Sequence, residues 1–433
     1  MQPTASPRFL RNYFEWPVTR QDRTFRVFVV EPGAYEPSGH AQIFEAALNY
    51  FVSQPPAMLD PLSESTAAAP PDQFDLVTFP EAFLPAADLV STLGILEQID
   101  SFGCVHVGLR PSKTGEHLFT TVELRELVEA LKEAPRSEPT DLAAFSNWLA
   151  GQNQKSRFGI GCLFMMDAYG RLRLCLHPKL LASNIEVSPL PEKHMKEANL
   201  LTAITLRPTN KIYQSITVQP LLCSDALLFD TDRAESRPLE AIHRNAECLA
   251  DNPPDHVDLV SVASCTKQGE DISSRGATYR TWHQAFKNTL LRAASDDALA
   301  RHRFAAFVLA NFGKIARELS AGLSGGFIPV PVPQDDHPSY VGLSTYGRPA
   351  KSTVPGRWSA PDDDISTEKW ASTGYIAFLT PLAGPADAVA QMLGFTIHRF
   401  PRDVSRWVTA PGFANYTLKT GSFDAASALA FSG

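Results

Sequence analysis

Short apolar runs closed by proline or glycine recur along this chain and alternate with stretches of helical periodicity. Phe25 to Val30 (FRVFVV) is aromatic and β-branched and stops at Pro32-Gly33, which predicts a strand. Between Ala41 and Val52 the positions Ile43, Ala46, Leu48, Tyr50 and Phe51 share a roughly helical stripe, so a helix is expected there. Residues 54–73, rich in proline and in small and polar side chains, read as a loop. Further strands are predicted at 74–79 and 104–109, and helices at 85–102, 122–133 and 142–152. Segments 159–167 and 171–176, joined through Ala168-Tyr169-Gly170, have the spacing of a β-hairpin. Two more strands follow at 199–206 and 212–223, and the second (IYQSITVQPLLC) turns continuously apolar, as an inner strand does. Helices near 237–250, 281–295 and 312–320 then alternate with strands at 257–262, 304–310 and 327–332. Residues 333–369 are polar and proline-rich and read as a long loop. A last unit of strand 373–379, helix 384–393 and strand 396–400 closes the readable part. Strands alternating with helices predict an α/β sandwich-type fold.

Composition narrows the class. At 433 residues the chain exceeds one ordinary core, so it holds two or three domains or one enlarged α/β domain. Apolar residues make up 44% and charged residues 20%, which excludes a mainly disordered chain. Lys and Arg number 39 against 47 Asp and Glu, a net charge of −8; a generally basic nucleic-acid binder is not expected, although a local basic patch stays open. The six cysteines (Cys104, Cys162, Cys175, Cys223, Cys248, Cys265) form no C-x-x-C pair, so no zinc knuckle or redox motif is expected. The first residues lack the apolar core of a secretion signal, and no window approaches 18 unbroken apolar residues. The expectation is a reduced, soluble, cytoplasmic protein with no membrane partner.

Three segments share one placement, a reactive polar residue just after an apolar run. They are Leu76-Val77-Thr78-Phe79-Pro80-Glu81, Leu174-Cys175-Leu176-His177-Pro178-Lys179 and Leu221-Leu222-Cys223-Ser224-Asp225. Strand C-termini are where α/β folds present working residues. A carboxylate, an ammonium and a thiol in one pocket make a coherent set. The carboxylate takes the thiol proton and returns it to a leaving amine. The ammonium favours the thiolate and holds a developing oxyanion. The thiolate attacks an amide or nitrile carbon and forms a thioester-type intermediate.

These segments resemble the Glu-Lys-Cys signature of the nitrilase, or carbon-nitrogen hydrolase, superfamily. On that resemblance Glu81 in FPEAFLP is the general base, Lys179 in LHPKL the oxyanion lysine and Cys223 in LLCSDAL the nucleophile, with Asp225 at a frequent aspartate position. The separations are 98 residues from Glu81 to Lys179 and 44 from Lys179 to Cys223. Family members often add a second glutamate between lysine and cysteine; Glu197, 26 residues before Cys223, is the best positional match, ahead of Glu192 and Glu186. Val257-Asp258-Leu259-Val260, and Ala310-Asn311-Phe312-Gly313 followed by Leu323-Ser324-Gly325-Gly326, resemble later family turns. The likeness covers about 24–332. It departs from the family in the long loop 54–73, in His-Pro before the lysine and in the added stretch 333–433. It implies a four-layer α-β-β-α sandwich at 24–332, preceded by an N-terminal segment (1–23) and followed by a C-terminal extension (333–433) for packing or assembly.

The implied activity is hydrolysis of a non-peptide C–N bond, an amide in preference to a nitrile. The Ser224 backbone N–H shares the oxyanion with Lys179, and Glu197 positions the reacting groups. No cofactor and no metal is implied; the partner is a small-molecule amide or nitrile, with homodimers or larger homo-oligomers common in the family. Two alternatives stay open: a nitrilase-fold protein that binds a ligand or partner without turnover, and an acyltransferase of the same superfamily. Each residue also has a plain reading. A cysteine ending an apolar strand is usually a small core hydrophobe, Glu81 after Pro80 suits a first helical turn, and a lone lysine is ordinary surface. His177 and His194 read as packing or rim residues, and Cys162, Cys175 and Cys265 as core thiols.

Overall fold

The structure, a computed structural model, describes residues 8–18, 24–32, 39–53, 74–96, 103–112, 116–183, 186, 188–190, 193–210, 215–227, 229–230, 235–236, 259–265, 306–312, 325–330, 339–344, 373–378, 391–400 and 415–416. They form a mixed α/β fold built on two large sheets. The seven-stranded sheet runs in the order β1 (Arg8–Trp16), β10 (Leu200–Pro208), β11 (Ile216–Leu222), β14 (Leu259–Ala263), β15 (Ala306–Ala310), β16 (Gly325–Val330) and β17 (Ser339–Ser344). The nine-stranded sheet runs β20 (Asn415–Tyr416), β18 (Thr373–Phe378), β19 (Gln391–Phe400), β2 (Thr24–Pro32), β3 (Leu76–Thr78), β5 (Cys104–Arg110), β8 (Ile160–Met166) and β9 (Leu172–Pro178), with β4 (Leu84–Pro85) also on β5. Two small ribbons pair β6 (Phe119–Thr120) with β7 (Arg157–Phe158) and β12 (Phe229–Asp230) with β13 (Glu235–Ser236).

The helices are α1 (His40–Ser53), α2 (Ala86–Leu96), α3 (Thr121–Lys132), α4 (Ala143–Ala150) and the single turn α5 (Ser224–Leu227). Helix α3 starts at a capping box: Thr120 accepts the Glu123 N–H, and the Glu123 carboxylate accepts the Thr120 N–H at 2.7 Å. Helix α1 lays Phe44 against Phe79 and Phe164, with ring centroids 4.8 and 6.4 Å away, and so covers the outer face of the nine-stranded sheet. The inner faces of the two sheets meet, and side chains bond from one to the other.

Direction matters for the site. Strands β2, β3 and β5 are parallel, and β9 returns to the same direction through the antiparallel β8. In the other sheet β11, β14 and β15 are parallel. The C-terminal ends of β3, β5 and β9 therefore collect on one side of their sheet, and those of β11, β14 and β15 on one side of theirs.

The predicted hairpin forms around Asp167, whose N–H donates to the Arg171 carbonyl at 2.9 Å, with Gly170 at φ +71° supplying the left-handed turn residue. Three segments differ from expectation. Residues 8–16, left outside the sandwich by the sequence pattern, form β1 and lie parallel to β10 in register from Arg8↔Leu200 to Trp16↔Pro208. Within the expected loop 333–369, residues 339–344 pair with β16. Residues 391–393, expected to end a helix, begin β19, which runs parallel to β2 from Met392↔Thr24 to Phe400↔Pro32. Sheet pairing overrides local propensity in both C-terminal cases: β2 has only the three-residue β3 on one side, and β19 supplies a full-length partner on the other. The loop 54–73 and the helices expected at 237–250 and 281–295 lie outside the described residues, as does the helix expected at 312–320 except for Phe312, which is not helical. Among the described residues no helix is long and apolar enough to cross a membrane.

One buried ion pair fixes strand β9 to the α3–α4 region. Arg173 grips Asp141 with two bonds, Nη2 to Oδ1 at 2.6 Å and Nε to Oδ2 at 2.8 Å, and the same carboxylate accepts the Leu174 N–H. The Arg173 and Asp141 side chains are only 12% and 5% exposed, so removing Asp141 leaves a buried guanidinium with Asp167, at 3.6 Å, as its remaining ion-pair partner. Asp141→Ala should lower unfolding free energy by about 3–5 kcal/mol in urea titration, whereas a change below about 1 kcal/mol would show that the pair behaves as a surface bridge.

Candidate active site

Glu81 sits on a turn that leaves β3 and crosses over β5. The Phe79 N–H donates to the His106 carbonyl at 2.8 Å, the Phe83 N–H to the Gly108 carbonyl at 2.9 Å, and the Gly108 N–H to the Pro80 carbonyl at 3.1 Å. Ala82 is forced to φ +49°, a left-handed conformation that costs an alanine free energy. Position 108 has to be glycine, because a Cβ there would lie 2.4 Å from the Glu81 Cα and 2.6 Å from the Ala82 nitrogen. The turn is also anchored across the sheets: the Glu81 N–H donates to the Ser264 carbonyl, just beyond β14, at 3.2 Å.

Lys179 follows β9, and its N–H donates to the Gly159 carbonyl at 2.9 Å. A Cβ on Gly159 would press on the lysine stem at 3.2 Å, so the glycine leaves the stem its channel. The ammonium donates to Glu81 Oε1 at 2.7 Å and to Glu186 Oε1 at 2.8 Å. The side chains of Lys179, Glu186 and Glu81 are 1%, 2% and 12% exposed, so the cluster is almost dry, with Glu81 nearest to solvent. Glu186 is held in turn by the Ser183 N–H at 2.7 Å.

Cys223 lies between β11 and α5 at φ +37°, a second left-handed residue without a glycine. Its N–H donates to the Ala263 carbonyl at the end of β14, and its own carbonyl accepts the Ala226 N–H, both at 2.9 Å. Asp225 binds this elbow to the lysine segment. Its Oδ1 accepts the N–H groups of Leu180 and Leu181 at 2.9 and 2.8 Å, and its Oδ2 accepts the Leu222 N–H at 3.1 Å. The Ser224 hydroxyl adds a bond to the Leu181 carbonyl. Residues just after Lys179 and just after Cys223 are thus stitched together, and Ala263 and Ser264 clamp Cys223 and Glu81 side by side.

The charges divide unequally. Burial opposes the Lys179 ammonium, but Glu81, then Cys223 and Glu186, outweigh it and raise its proton affinity. Burial also pushes Glu186 up, yet the charge and hydrogen bond of Lys179 and the Ser183 N–H hold it below the ordinary carboxylate range. Glu81 is raised: burial dominates, Lys179 pulls against it and Glu186 adds to the rise. One cation neutralises one carboxylate, so the second carboxylate carries the surplus negative charge and binds a proton more readily. The surroundings thus drive the proton affinities of the two carboxyls apart, Glu81 upward and Glu186 downward. Burial likewise pushes Asp225 up to about 8 against the pull of Lys179 and its N–H donors.

Of the residues singled out in the sequence, Glu81 and Lys179 meet in a direct ion pair, Cys223 is near enough for its charge to act on Lys179, and Ser224 follows Cys223 at the elbow. Glu197 is not the glutamate beside Lys179. It is exposed and accepts the Ala182 N–H at 3.3 Å, and Glu186 takes the inner place. Lys179 and Glu186 are only seven residues apart, close enough for a tight loop to fold the carboxylate back onto the ammonium. His177, read as a packing residue, is buried and bonds His106. Cys162 and Cys175 are core thiols, while Cys265 is partly exposed. Among the described residues no cluster of three or more His, Cys, Asp or Glu side chains could hold a metal ion. No family model matches the chain, and no curated protein matches it.

The depressed Glu186 gives a signed pH prediction. A carboxyl held low in the folded state adds stability above its unfolded pKa, and that stability is lost as pH falls through the folded value. Glu186→Gln should therefore cost about 2–3 kcal/mol at about pH 7. The gap to the parent protein should narrow as pH is lowered through the ordinary carboxyl range, near pH 4 and below. A gap constant across that range in denaturant titrations would mean that Glu186 does not pair with Lys179 as a carboxylate.

Proposed function

We propose that this chain is a thiol hydrolase of the nitrilase, or carbon-nitrogen hydrolase, type, acting on a non-peptide C–N bond of a small molecule. The observation that carries the reading is the Lys179 ammonium bonded at once to Glu81 and Glu186 beside a cysteine on a left-handed strand-to-helix elbow. A four-layer α-β-β-α sandwich is the finer architecture proposed with it. The facing sheets and the helix on the outside of one of them support that architecture.

In the first half-reaction the Glu81 carboxylate takes the Cys223 thiol proton, and the thiolate bonds to the carbonyl carbon of the amide. The carbonyl π-electrons move to oxygen, where the Lys179 ammonium and the Ser224 N–H hold the oxyanion. Collapse of this adduct breaks the C–N bond, and the Glu81 carboxyl donates its proton to the departing amine. A thioester on Cys223 remains. In the second half-reaction Glu81 takes a proton from water as the hydroxide adds to the thioester carbon. Collapse then breaks the C–S bond, releases the acid and returns the proton to the thiol. Glu186 keeps the lysine charged and fixed throughout. An amide fits better than a nitrile, because a raised Glu81 is suited to protonating a leaving amine.

A panel of small amides, carbamoyl compounds and nitriles, read by amine or ammonia release, tests the proposal. Cys223→Ala should abolish release and keep the parent melting profile, and Glu81→Gln should cost about 10²–10⁴-fold in kcat. Iodoacetamide should label Cys223 ahead of the other thiols, and Glu81→Gln should slow that labelling. Full turnover in Cys223→Ala would sink the mechanism. Cys223 labelling no faster than that of the buried core thiols would point instead to a binding protein on the same scaffold.

A further inference from the structure

Between the two sheets, one level below the Glu81–Lys179–Cys223 cluster, lies a chain of four buried polar side chains that the proposed reaction does not use. Thr78 Oγ1 lies 2.8 Å from Ser261 Oγ, Ser261 Oγ lies 2.7 Å from His106 Nδ1, and His106 Nε2 lies 3.0 Å from His177 Nε2. Thr78, Ser261 and His106 have no solvent exposure, and His177 has 2%. Each stands on a different strand: β3, β14, β5 and β9. Polar groups in such a place cost free energy unless they are bonded, and apolar residues of the same shape would pack there without that requirement.

The placement shows what the chain does. Thr78 is three residues before Glu81, and His177 two before Lys179. Ser261 is two before Ala263, whose carbonyl holds the Cys223 N–H, and three before Ser264, whose carbonyl holds the Glu81 N–H. His106 is two before Gly108, over which the Glu81 turn closes. Strand β8, which lies between β5 and β9, makes room for the His177 ring: a Cβ on Gly161 would fall 2.2 Å from His177 Nε2.

We propose that Thr78, Ser261, His106 and His177 are positioning residues, a directional hydrogen-bonded tie that sets the spacing of the Glu81, Lys179 and Cys223 segments across the two sheets. The inference rests on the hydrolase reading of the cluster above it. The imidazole pair gives the tie its direction, because between two neutral rings one Nε2 has to donate and the other accept. If His106 donates from Nε2 to His177, its Nδ1 is an acceptor and Ser261 donates to it, leaving the Ser261 oxygen to accept from Thr78. If His177 donates instead, His106 Nδ1 donates to Ser261, whose hydroxyl then either donates to Thr78 or accepts from it as well. Burial keeps both imidazoles neutral, lowering His106 well below its usual value and His177 to about 3. A neutral, hydrogen-bonded layer adds rigidity without adding charge to a site that already holds one surplus carboxylate.

The test separates a missing hydroxyl from a missing volume. Thr78→Val keeps the shape and removes the bond; Thr78→Ser removes a core methyl and keeps the bond; Ser261→Ala breaks the chain in the middle. Three readouts apply to the full chain: kcat and KM for amide release, the rate of Cys223 alkylation by iodoacetamide, and the ¹H–¹⁵N resonance of the Lys179 ammonium in ¹⁵N-lysine-labelled protein. Thr78→Val and Ser261→Ala should lower kcat and alkylation roughly 10- to 100-fold with KM little changed, as expected for small misplacement of reacting groups. Both should also shift the Lys179 resonance, while Thr78→Ser should stay close to the parent in all three readouts. Parent-like rates and an unmoved resonance in Thr78→Val and Ser261→Ala would overturn the proposal, and so would equal losses in Thr78→Ser. If the parent protein itself neither turns over amides nor labels selectively at Cys223, the hydrolase reading fails. The lysine resonance then still decides whether the layer positions the cluster.

Discussion

A lysine ammonium cannot be taken out of water without compensation. The penalty is several kcal/mol per ion even after the surroundings relax, and it is recovered only by close, well-directed partners. Lys179 is 1% exposed, and most of what surrounds it can be understood as the means of keeping its charge. Gly159 gives its stem a channel, Glu186 neutralises it, and Glu81 supplies a second oxygen. The same requirement underlies the proposed reactivity. With one cation between two carboxylates and a thiol close by, the charges do not balance, and the imbalance falls on Glu81, the most exposed of the three side chains in the ion-paired cluster. In the proposed reaction Glu81 exchanges protons with the substrate, a role that suits the carboxyl left over.

The second constraint is backbone strain. Ala82 and Cys223 both adopt left-handed conformations without being glycine, at a cost on the order of 1–3 kcal/mol each. Both are held by bonds to the end of one strand: the Ala263 carbonyl holds Cys223, and the Ser264 carbonyl holds the Glu81 turn. Strand β14 thus works as a common jig for two turns that come from different sheets. Asp225 performs the same service between Cys223 and Lys179 through its three N–H donors. The strain is therefore local and shared, and the rigid frame that absorbs it also sets the distances.

Much of this was legible in the chain. The three strand ends could be read because each is an apolar run cut short: by Pro80 before Glu81, by Pro178 before Lys179 and by the Ser224-Asp225 pair after Cys223. The hairpin at Asp167–Arg171 and helices α1 and α3 also carry strong local signals. What escaped depends on contacts distant in sequence. Glu186 and Glu197 both lie on a segment without periodicity, where spacing along the chain does not say which carboxylate folds inward. Strand β1 does alternate, with Leu10, Phe14 and Trp16 buried and Tyr13 exposed, but its mixture of arginine, asparagine and aromatics hides the period. Residues 391–393 have no strand signal of their own and acquire the conformation from β2. The polar layer of Thr78, His106, His177 and Ser261 is visible only once four strands are side by side.

The pairing of β2 with β19 has a consequence in time. Thr24 and its partner Met392 are among the most distant neighbours in the chain, and a ribosome adding about 5–20 residues per second needs roughly 20–70 s to travel from one to the other. Until β19 is made, β2 has no long partner on that side, and an unpaired strand edge is a ready template for a foreign strand. Contacts of such long range also slow the final closure. A protein woven in this way matures late and all at once: strands bearing Glu81, Lys179 and Cys223 can be complete well before the sheet that carries two of them is closed.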